Sequence, residues 1–337
     1  MAFCIKKNNA MILILSMHGD LSTDLVIDWL RRYNHSFLRL DLTTFLDKSA
    51  TFSLFPPALS IDEQAIDIHE IQAVWYRRTG AFSESQYFKK HQESLLPQTV
   101  RQLYLEYETL TEGFATLFHD RYWLNHPQKA SVNKLEVLNI AQQCDLPVPK
   151  TYVVNTQSQL ATLSKNHPLI CKSIYEPDFL DVADKSYMMY TAELTPEVIQ
   201  SFPQRFYPSL VQQKIDKAYE LRIFYLEGQF YPMAIFSQQT TQTQLDFRQY
   251  NRNNPNRNVP YHLPQKLTAK LQLLMQRLDL NCGSIDIIKG MDDQYYFLEV
   301  NPVGQFGMTS KPCNYDLYQL IAQHLITKDS LYEKAPY

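Results

Sequence analysis

Glycine and cysteine are both scarce in this sequence. Only 8 of the 337 residues are glycine, which argues against an architecture with many glycine-rich phosphate loops. The 5 cysteines are odd in number and far apart, so no pair has metal-ligand spacing and no disulfide framework is indicated. The sequence therefore favours buried thiols in a reduced, cytoplasmic protein.

Long apolar runs and a strong charge of one sign are also missing. The first apolar segment, residues 11–15, is too short to span a bilayer or to form the core of a signal peptide. The formal net charge is −3, which provides no basic field for nucleic acid. We therefore expect neither membrane nor nucleic acid as a partner, and residues 1–10 are expected to be an extension ahead of the folded pattern.

The first third of the chain is typical of a small open α/β domain. Apolar segments predict strands at 11–15, 37–40 and 73–76, and a capped amphipathic helix follows the first strand. Ligands of such sheets gather at the carboxyl ends of the strands, where Arg77 and Arg78 stand. These arginines are either substrate contacts or a surface pair, and the sequence gives both interpretations similar weight.

A long amphipathic helix is predicted over residues 93–118, because its apolar side chains recur every three to four residues. This stripe is expected to pack on the first domain or on a second subunit, which makes a homodimer reasonable. Residues 119–127 are interpreted as a linker to the next domain.

The rest of the chain alternates helices and strands. Helices are predicted from Asn133 and over 264–280, and strands over 151–154, 169–172, 210–215, 221–226 and 229–236. The last two strands, 284–289 and 294–300, form a hairpin over residues 290–293. This order indicates an α/β fold with α+β elements.

Oxygen-bearing side chains converge on one face of this hairpin. With an even connection, Asp286 lies opposite Phe297, and Glu299 is its diagonal neighbour within roughly 7–8 Å. Asn301 projects to the same face, while apolar residues, Leu298 among them, are buried on the other. Two carboxylates and an amide oxygen suit Mg²⁺. From the hairpin alone, a polar strand facing solvent explains the pattern equally well.

The segment Glu299-Val-Asn-Pro, which follows Asp286 near the end of the chain, resembles the metal site of the ATP-grasp ligases. Further segments stand upstream in the order of that family: Asn133-Lys134 opening a helix, Lys172 ending a strand, Gln212-Gln-Lys-Ile215, and Glu220-Leu-Arg222. One departure is that residues 173–190 contain no glycine, whereas many members close a glycine-rich loop over the phosphates.

More narrowly, three segments resemble the grasp-with-spasm peptide maturases (the graspetide or microviridin type) and the ribosomal protein S6 glutamate ligase. They are residues 219–225, Asp246-Phe-Arg248 and Pro255-Asn-Arg257. The resemblance implies an ATP-grasp fold behind an N-terminal open α/β pre-ATP-grasp domain. The implied division is an extension at 1–10, the pre-ATP-grasp domain at 11–125, a central subdomain at 126–215 and a C-terminal subdomain with the metal site at 216–330.

The resemblance also implies ATP and Mg²⁺ as cofactors, with three groups of site residues. The metal ligands are Asp286, Glu299 and Asn301. The nucleotide contacts are Lys134, Lys172, Gln212, Gln213, Lys214, Ile215 and Glu220. The γ-phosphate and the acceptor carboxylate are gripped by Arg222, Arg248 and Arg257, and Asp246 either orients Arg248 or helps remove a proton from the nucleophile.

The implied activity is ADP-forming ligation through an acyl phosphate, which makes macrocyclic side-chain esters or amides in a ribosomal precursor peptide. A leader segment of the precursor docks on the enzyme, with Arg77, Arg78 or the neighbouring subdomain as contacts. Two alternatives stay open. One is an ATP-grasp ligase that adds free amino acids, as in the S6 or glutathione-synthetase type, and the other is a non-catalytic nucleotide-binding module.

Overall fold

The computed structural model describes residues 10–175, 179–182, 185–188, 190–238, 245–247, 249 and 253–332. Within this part of the chain, two units are distinguished by their internal contacts. The first takes its residues from Met1–Ser131, Gln305–Ser310 and Asp316–Tyr337, and the second from Val132–Gly304 and Lys311–Tyr315. No helix of the described residues is long and apolar enough to cross a membrane.

The strands of the first unit form two sheets. They are β1 (Met11–Ser16), β2 (Ser36–Leu40), β3 (Ala50–Leu54), β4 (Pro57–Ile61), β5 (Gln64–Ile66), β6 (Ile71–Arg78) and β7 (Tyr122–Leu124). One sheet is parallel with the order β2-β1-β6-β7, and the other is an antiparallel β3-β4-β5 meander. A parallel sheet needs both faces covered, which agrees with the almost fully buried side chains of β1.

Helices cover this sheet. They are α1 (Leu21–Arg32), α2 (Thr44–Asp47), α3 (Gln86–His91) and α4 (Pro97–Ala115), with short 3-10 turns at Ile68–Glu70, Phe82–Glu84, Gln92–Ser94, Thr116–Phe118 and Pro127–Lys129. Asp20 caps α1 by accepting the Thr23 N–H at 3.1 Å. On α4, the buried Tyr107 and Phe114 pack into the core of the unit itself. The apolar stripe of this helix therefore packs on the N-terminal domain, which was one of the two expected partners.

The predicted linker at 119–127 was wrong in one respect, because it contains β7. Leu124 is fully buried and lies beside Trp75 of β6 in a parallel pair. A three-residue strand is too short to show an alternating pattern, and for this reason the periodicity of the sequence does not predict it. The β3-β4-β5 meander was also missed, because most side chains of β3 and β4 are partly or fully exposed and give no clear apolar alternation.

The strands of the second unit also form several sheets. They are β8 (Thr151–Thr156), β9 (Leu169–Lys172), β10 (Phe179–Val182), β11 (Lys185–Met188), β12 (Ala192–Glu193), β13 (Arg205–Gln213), β14 (Lys217–Leu226), β15 (Gln229–Phe236), β16 (Arg257–Pro260), β17 (Cys282–Gly290) and β18 (Tyr295–Asn301). Their orders are β12-β9-β13-β8, β10-β11 and β16-β15-β14-β17-β18.

Helices α5 (Lys134–Gln143), α6 (Gln157–Leu163), α7 (Pro196–Ser201) and α8 (Gln265–Arg277) belong to this unit. Asn133 caps α5 by accepting the Leu135 N–H at 3.0 Å. Val137, Leu138 and Ala141 of this helix pack with α8 and the five-stranded sheet into one apolar cluster. The helix that carries Lys134 is therefore fixed to the sheet that carries Asp286.

The last helices are α9 (Gly307–Cys313) and α10 (Leu317–Tyr332). Helix α10 packs on β1, β6 and α1, and Leu317, Ile321 and Leu325 are buried there. Although the sequence analysis placed residues 216–330 in one C-terminal subdomain, the segments 305–310 and 316–330 group with the first unit. An amphipathic pattern shows that a helix buries one face, but it does not show which sheet receives that face.

Candidate nucleotide and metal site

A cleft lies within the second unit, at the end of β9 and β13 and over the face of β14, β17 and β18. Its walls carry most of the polar residues singled out from the sequence. Those that line it are Lys134, Lys172, Gln212, Gln213, Lys214, Ile215, Glu220, Asp246, Asp286 and Glu299. The sequence pattern therefore identified residues that share one cleft.

The carboxylates of the metal pair face each other directly. Asp286 on β17 is paired with Glu299 on β18, whereas the sequence analysis placed Phe297 opposite Asp286. That register was wrong because β18 contains a bulge: Ile287 pairs with Phe297, and Leu298 is the extra residue between the two pairs. Residues directly opposite each other have Cβ atoms only about 4.5–5.5 Å apart, so the two carboxylates are closer than the expected diagonal.

The bulge also exchanges the roles of two apolar residues. Leu298 was expected in the core, but it lines the cleft instead. Phe297 is fully buried in the apolar cluster, and its N–H donates to the carbonyl of Pro147 at 2.8 Å. The bulge thus directs Glu299 into the cleft while the strand keeps an aromatic side chain in the core.

A cation lies beside each of these carboxylates. The Arg222 guanidinium is 2.5 Å from an oxygen of Asp286, and both side chains are almost fully buried. The Lys134 ammonium is 3.9 Å from an oxygen of Glu299 and also donates to the carbonyl of Tyr175 at 3.1 Å. Each carboxylate therefore has a positive charge beside it that offsets part of the repulsion between the two.

Asn301 supplies an orphan oxygen next to this pair. Its Oδ1 is buried and has no hydrogen-bond partner among the described residues. An unsatisfied buried acceptor is costly unless a ligand completes it. Two carboxylates and one free amide oxygen on adjacent strands fit a hard cation with oxygen ligands, and Mg²⁺ keeps its remaining positions for phosphate and water. The described residues contain no cluster of three or more His, Cys, Asp or Glu, so no alternative metal centre of that kind competes.

Sequence reasoning missed Ser284 at this site. It lies opposite Asn301 on the neighbouring strand, and two residues from Asp286 on its own, so all four side chains share one face. Ser284 is fully buried and its hydroxyl has no partner among the described residues. Gly304 allows this packing, because a Cβ at Gly304 would stand 2.9 Å from the Cβ of Ser284. The alternation of side chains along the predicted strand places Ser284 on the same face as Asp286. A single serine, however, does not by itself indicate a functional site.

The segment after β13 carries the proposed adenine contacts. The side chain of Gln212 is buried and donates to the Thr151 hydroxyl at 3.0 Å. The N–H of Gln213 donates to the carbonyl of Lys150 at 2.9 Å, and the N–H of Lys214 donates to that of Pro168 at 2.9 Å. These two donors are therefore engaged within the protein.

Glu220 lies on the same face of β14 as Arg222, but the two do not pair. The Glu220 carboxylate instead accepts hydrogen bonds from the Lys217 ammonium and from the Ser237 hydroxyl. Burial raises the pKa of Glu220, and the neighbouring Lys217 opposes that rise. Lys217 is a cleft residue that the sequence analysis did not single out.

The residues assigned to the reaction, unlike the nucleotide contacts, do not all line the cleft. Asp246 is buried at the cleft and accepts the N–H of Thr191 at 3.3 Å. Arg257 is exposed and stacks on Phe236 at 5.6 Å, and it does not line the cleft. Arg248 lies outside the described residues.

Arg77 and Arg78 belong to the first unit. Arg77 is buried, with its guanidinium 3.3 Å from a carboxylate oxygen of Asp20 and 5.5 Å from the ring of Phe306. Arg77 is therefore not a surface arginine, whereas its role as a substrate contact stays a prediction. Arg78 is half-buried and remains a candidate.

Comparison with known proteins finds a family model for the first part of the chain. Residues 11–131 match the model of the MvdD pre-ATP grasp domain. No curated protein matches the chain significantly.

Solved structures match over almost the whole chain. The macrocyclase MdnC from Microcystis aeruginosa MRC, bound with precursor peptide MdnA, is 24% identical, with 94% of this chain and 99% of that chain covered at a TM-score of 0.78. A RiPP-associated ATP-grasp ligase from Chryseobacterium gregarium, in complex with ADP and a leader and core peptide, is also 24% identical, with 97% and 98% covered at a TM-score of 0.80. The ATP-grasp ligase PsnB, complexed with minimal precursor, Mg and ADP, is 17% identical, with 97% and 100% covered at 0.76.

The resemblance drawn from the sequence motifs is thereby confirmed. Residues 11–131 are similar to the MvdD pre-ATP grasp domain, and the chain has the fold of the ATP-grasp ligases.

Proposed function

We propose that this protein is an ATP-dependent carboxylate ligase that joins side chains of a ribosomal precursor peptide through an acyl phosphate. The observation that carries this proposal is the directly opposed pair Asp286 and Glu299, with the orphan oxygen of Asn301 beside it. This group lies at a cleft that is also lined by Lys134 and Lys172. Oxygen ligands for a divalent cation next to two ammonium groups form an environment for a polyphosphate.

The adenine base is assigned to the segment 213–215. Because the N–H groups of Gln213 and Lys214 already donate to protein carbonyls, the base edge must use the N–H of Ile215 and the carbonyls of this segment. Glu220 is assigned to the ribose hydroxyls. Its carboxylate is held in place by Lys217 and Ser237, which fixes the position at which a ribose can donate to it.

The remaining residues are proposed to neutralise the negative charge of the phosphate groups. Asp286, Glu299 and Asn301 would hold Mg²⁺, which would supply positive charge to neutralise the phosphate groups. Arg222 holds the Asp286 carboxylate in a fixed direction, and Lys134 and Lys172 place their ammonium groups at the same cleft. Preorganised cations stabilise the transferring phosphoryl group without moving during the reaction.

The reaction is proposed in two steps. An acceptor carboxylate oxygen bonds to the γ-phosphorus while the bond to the bridging oxygen breaks, which releases ADP. A hydroxyl or amine then attacks the acyl carbon, phosphate leaves and the nucleophile loses its proton. Asp246, at the cleft beside Thr191, is the residue proposed to accept that proton or to orient Arg248. Arg257 and Arg248 remain candidates for gripping the acceptor carboxylate.

A peptide substrate is supported by all three of the structures described above, since PsnB is complexed with minimal precursor. MdnC was crystallised with its precursor peptide, and the Chryseobacterium ligase with a leader and a core peptide. We propose the same class of partner here, with the leader docking near Arg78 or on the neighbouring subdomain. The division into a central subdomain, expected at 126–215, and a C-terminal subdomain stays part of this proposal, although residues 126–131 group with the first unit.

We also propose a homodimer and a cytoplasmic location. Around α4 the side chains of Leu96, Tyr104 and Leu105 are large, apolar and 45% or more exposed, which suits a subunit contact. A cytoplasmic enzyme has access to ATP. Sedimentation equilibrium of the purified chain tests the dimer directly.

The test of function is ligation of the peptide encoded by a small open reading frame beside the gene. With enzyme, ATP and Mg²⁺, mass spectrometry should show loss of one water per new bond, with stoichiometric ADP. Glu299→Gln should give neither. Modification of a free amino acid instead of the peptide would support the S6 type, and nucleotide binding without ADP release from any peptide would support a non-catalytic module.

A further inference from the structure

Lys217 is aimed into the cleft by an irregularity of its own strand. On a regular strand, residues three apart point to opposite faces, so Lys217 and Glu220 should not meet. In β14, however, Lys217 pairs with Gly290 and Tyr219 with Lys289, which makes Ala218 the extra residue of a bulge. The bulge brings the ammonium to the face of Glu220, where only 6% of the lysine side chain is exposed.

This buried pair contacts two separate pieces of chain. Ser237, directly after β15, donates its hydroxyl to Glu220 at 2.9 Å. Lys217 donates to the carbonyl of Leu245 at 3.2 Å. We call residues 237–238 the first stem and residues 245–247 the second stem. Residues 239–244, which connect them, lie outside the described part of the chain.

Both stems form part of the wall of the cleft. Gln238 of the first stem and Leu245, Asp246 and Phe247 of the second line it. The second stem in turn reaches Thr191, whose N–H donates to Asp246 at 3.3 Å. The Lys217 ammonium is therefore the link between the strand that carries Glu220 and Arg222 and the opposite wall of the same cavity.

We infer that Lys217 is a positioning residue that, together with Glu220, holds both stems and so places the wall of the cleft that receives the acceptor carboxylate of the peptide. The part of this inference that concerns the acceptor rests on the proposed function. The part that concerns the stems does not, because it follows from the contacts alone. An ammonium suits this role because its three donors can serve a carboxylate and a carbonyl at once.

Hydrogen exchange of the full chain without ligands tests the stems. In Lys217→Met, amides of both stems should exchange at least about tenfold faster, since a buried hydrogen bond to a charged group is worth roughly that factor or more. Ser237→Ala, which keeps the ion pair, should accelerate only the first stem. Lys217→Arg keeps the charge and should restore most of the protection. Lys289→Met is the matched control: Lys289 is on the adjacent strand, pairs with the exposed Asp293 and does not line the cleft.

Ligation kinetics then test the consequence for the substrate. For Lys217→Met, the KM for the peptide should rise at least about fivefold, and by a larger factor than the KM for ATP, which depends on Lys217 only through the position of Glu220. Unchanged exchange of the stems in folded Lys217→Met or Ser237→Ala would overturn the inference. So would a loss confined to ATP affinity, because it would make Lys217 a nucleotide contact. If the wild type modifies no peptide, the proposed function fails while the exchange result still decides the role of the stems.

Discussion

The two carboxylates proposed to bind the metal differ in burial and in the strength of their ion pairs. Asp286 is tied to Arg222 at 2.5 Å, and their side chains are only 12% and 10% exposed. Glu299 is 31% exposed, and the Lys134 ammonium is 3.9 Å from one of its oxygens. The substitutions Asp286→Asn and Glu299→Gln each remove one charge and leave the shape unchanged. They should therefore affect metal binding alike and stability very differently.

The expected magnitudes follow from burial. Losing a buried hydrogen bond between charged groups costs about 1.5–3 kcal/mol, so Asp286→Asn should destabilise the second unit by about 2 kcal/mol. For a unit of this size that is a shift of about 4–8 °C in Tm. Glu299→Gln weakens a partly exposed pair at a long distance, which is worth about 0–1 kcal/mol, and relief of repulsion between the two carboxylates offsets part of it. Its Tm should stay within about 2 °C of wild type.

Thermal unfolding of both variants, followed by Mn²⁺ titration with electron paramagnetic resonance, provides the assay. Each variant should bind Mn²⁺ at least about tenfold more weakly in the presence of nucleotide, because loss of a ligand costs no less than loss of its supporting hydrogen bond. Equal destabilisation by the two substitutions would refute the assignment of Asp286 as the buried, paired carboxylate. Wild-type Mn²⁺ affinity in either variant would remove that residue from the metal site.

Three further predictions concern stability and reactivity. Gly304→Ala places a Cβ 2.9 Å from Ser284 and should cost about 1–3 kcal/mol in urea unfolding, whereas Gly113→Ala has open space and should stabilise α4 slightly. Burial raises the pKa of Asp20, but Arg77 and Thr23 lower it to a net value below 3.8. Its stabilising contribution is therefore present above that pH and lost as pH falls through the folded-state pKa, so Asp20→Asn should flatten the acid limb of the stability curve. Burial raises the pKa of Cys313 to about 11, so this thiol should resist a disulfide reagent near about pH 8 until the protein unfolds.

The periodic elements could be predicted from the sequence because their patterns are long. Strands β14, β15, β17 and β18 were predicted within a few residues, and Asn133 was identified at the start of α5. The candidate site residues could be identified because their motifs occur in the order typical of the ATP-grasp ligases. Ten of the residues singled out line one cleft, although their roles there stay proposals.

Bulges explain most of what could not be predicted. Leu298 is apolar and fits either the core or the cleft, so nothing in the alternation of β18 signals the extra residue that pairs Asp286 with Glu299. The extra residue Ala218 likewise places Lys217 on the face of Glu220, which regular strand alternation would not predict. Arg77 shows a third limit, because whether an arginine is exposed or buried against Asp20 depends on helices from the other end of the chain.

The most direct test of the ligase chemistry is the fate of the acceptor oxygen. The precursor peptide is prepared with heavy oxygen in its Asp and Glu side-chain carboxylates and incubated with enzyme, ATP and Mg²⁺. An acyl-phosphate route predicts one heavy oxygen in the phosphate released for every bond formed. Unlabelled phosphate released alongside a modified peptide would contradict the account.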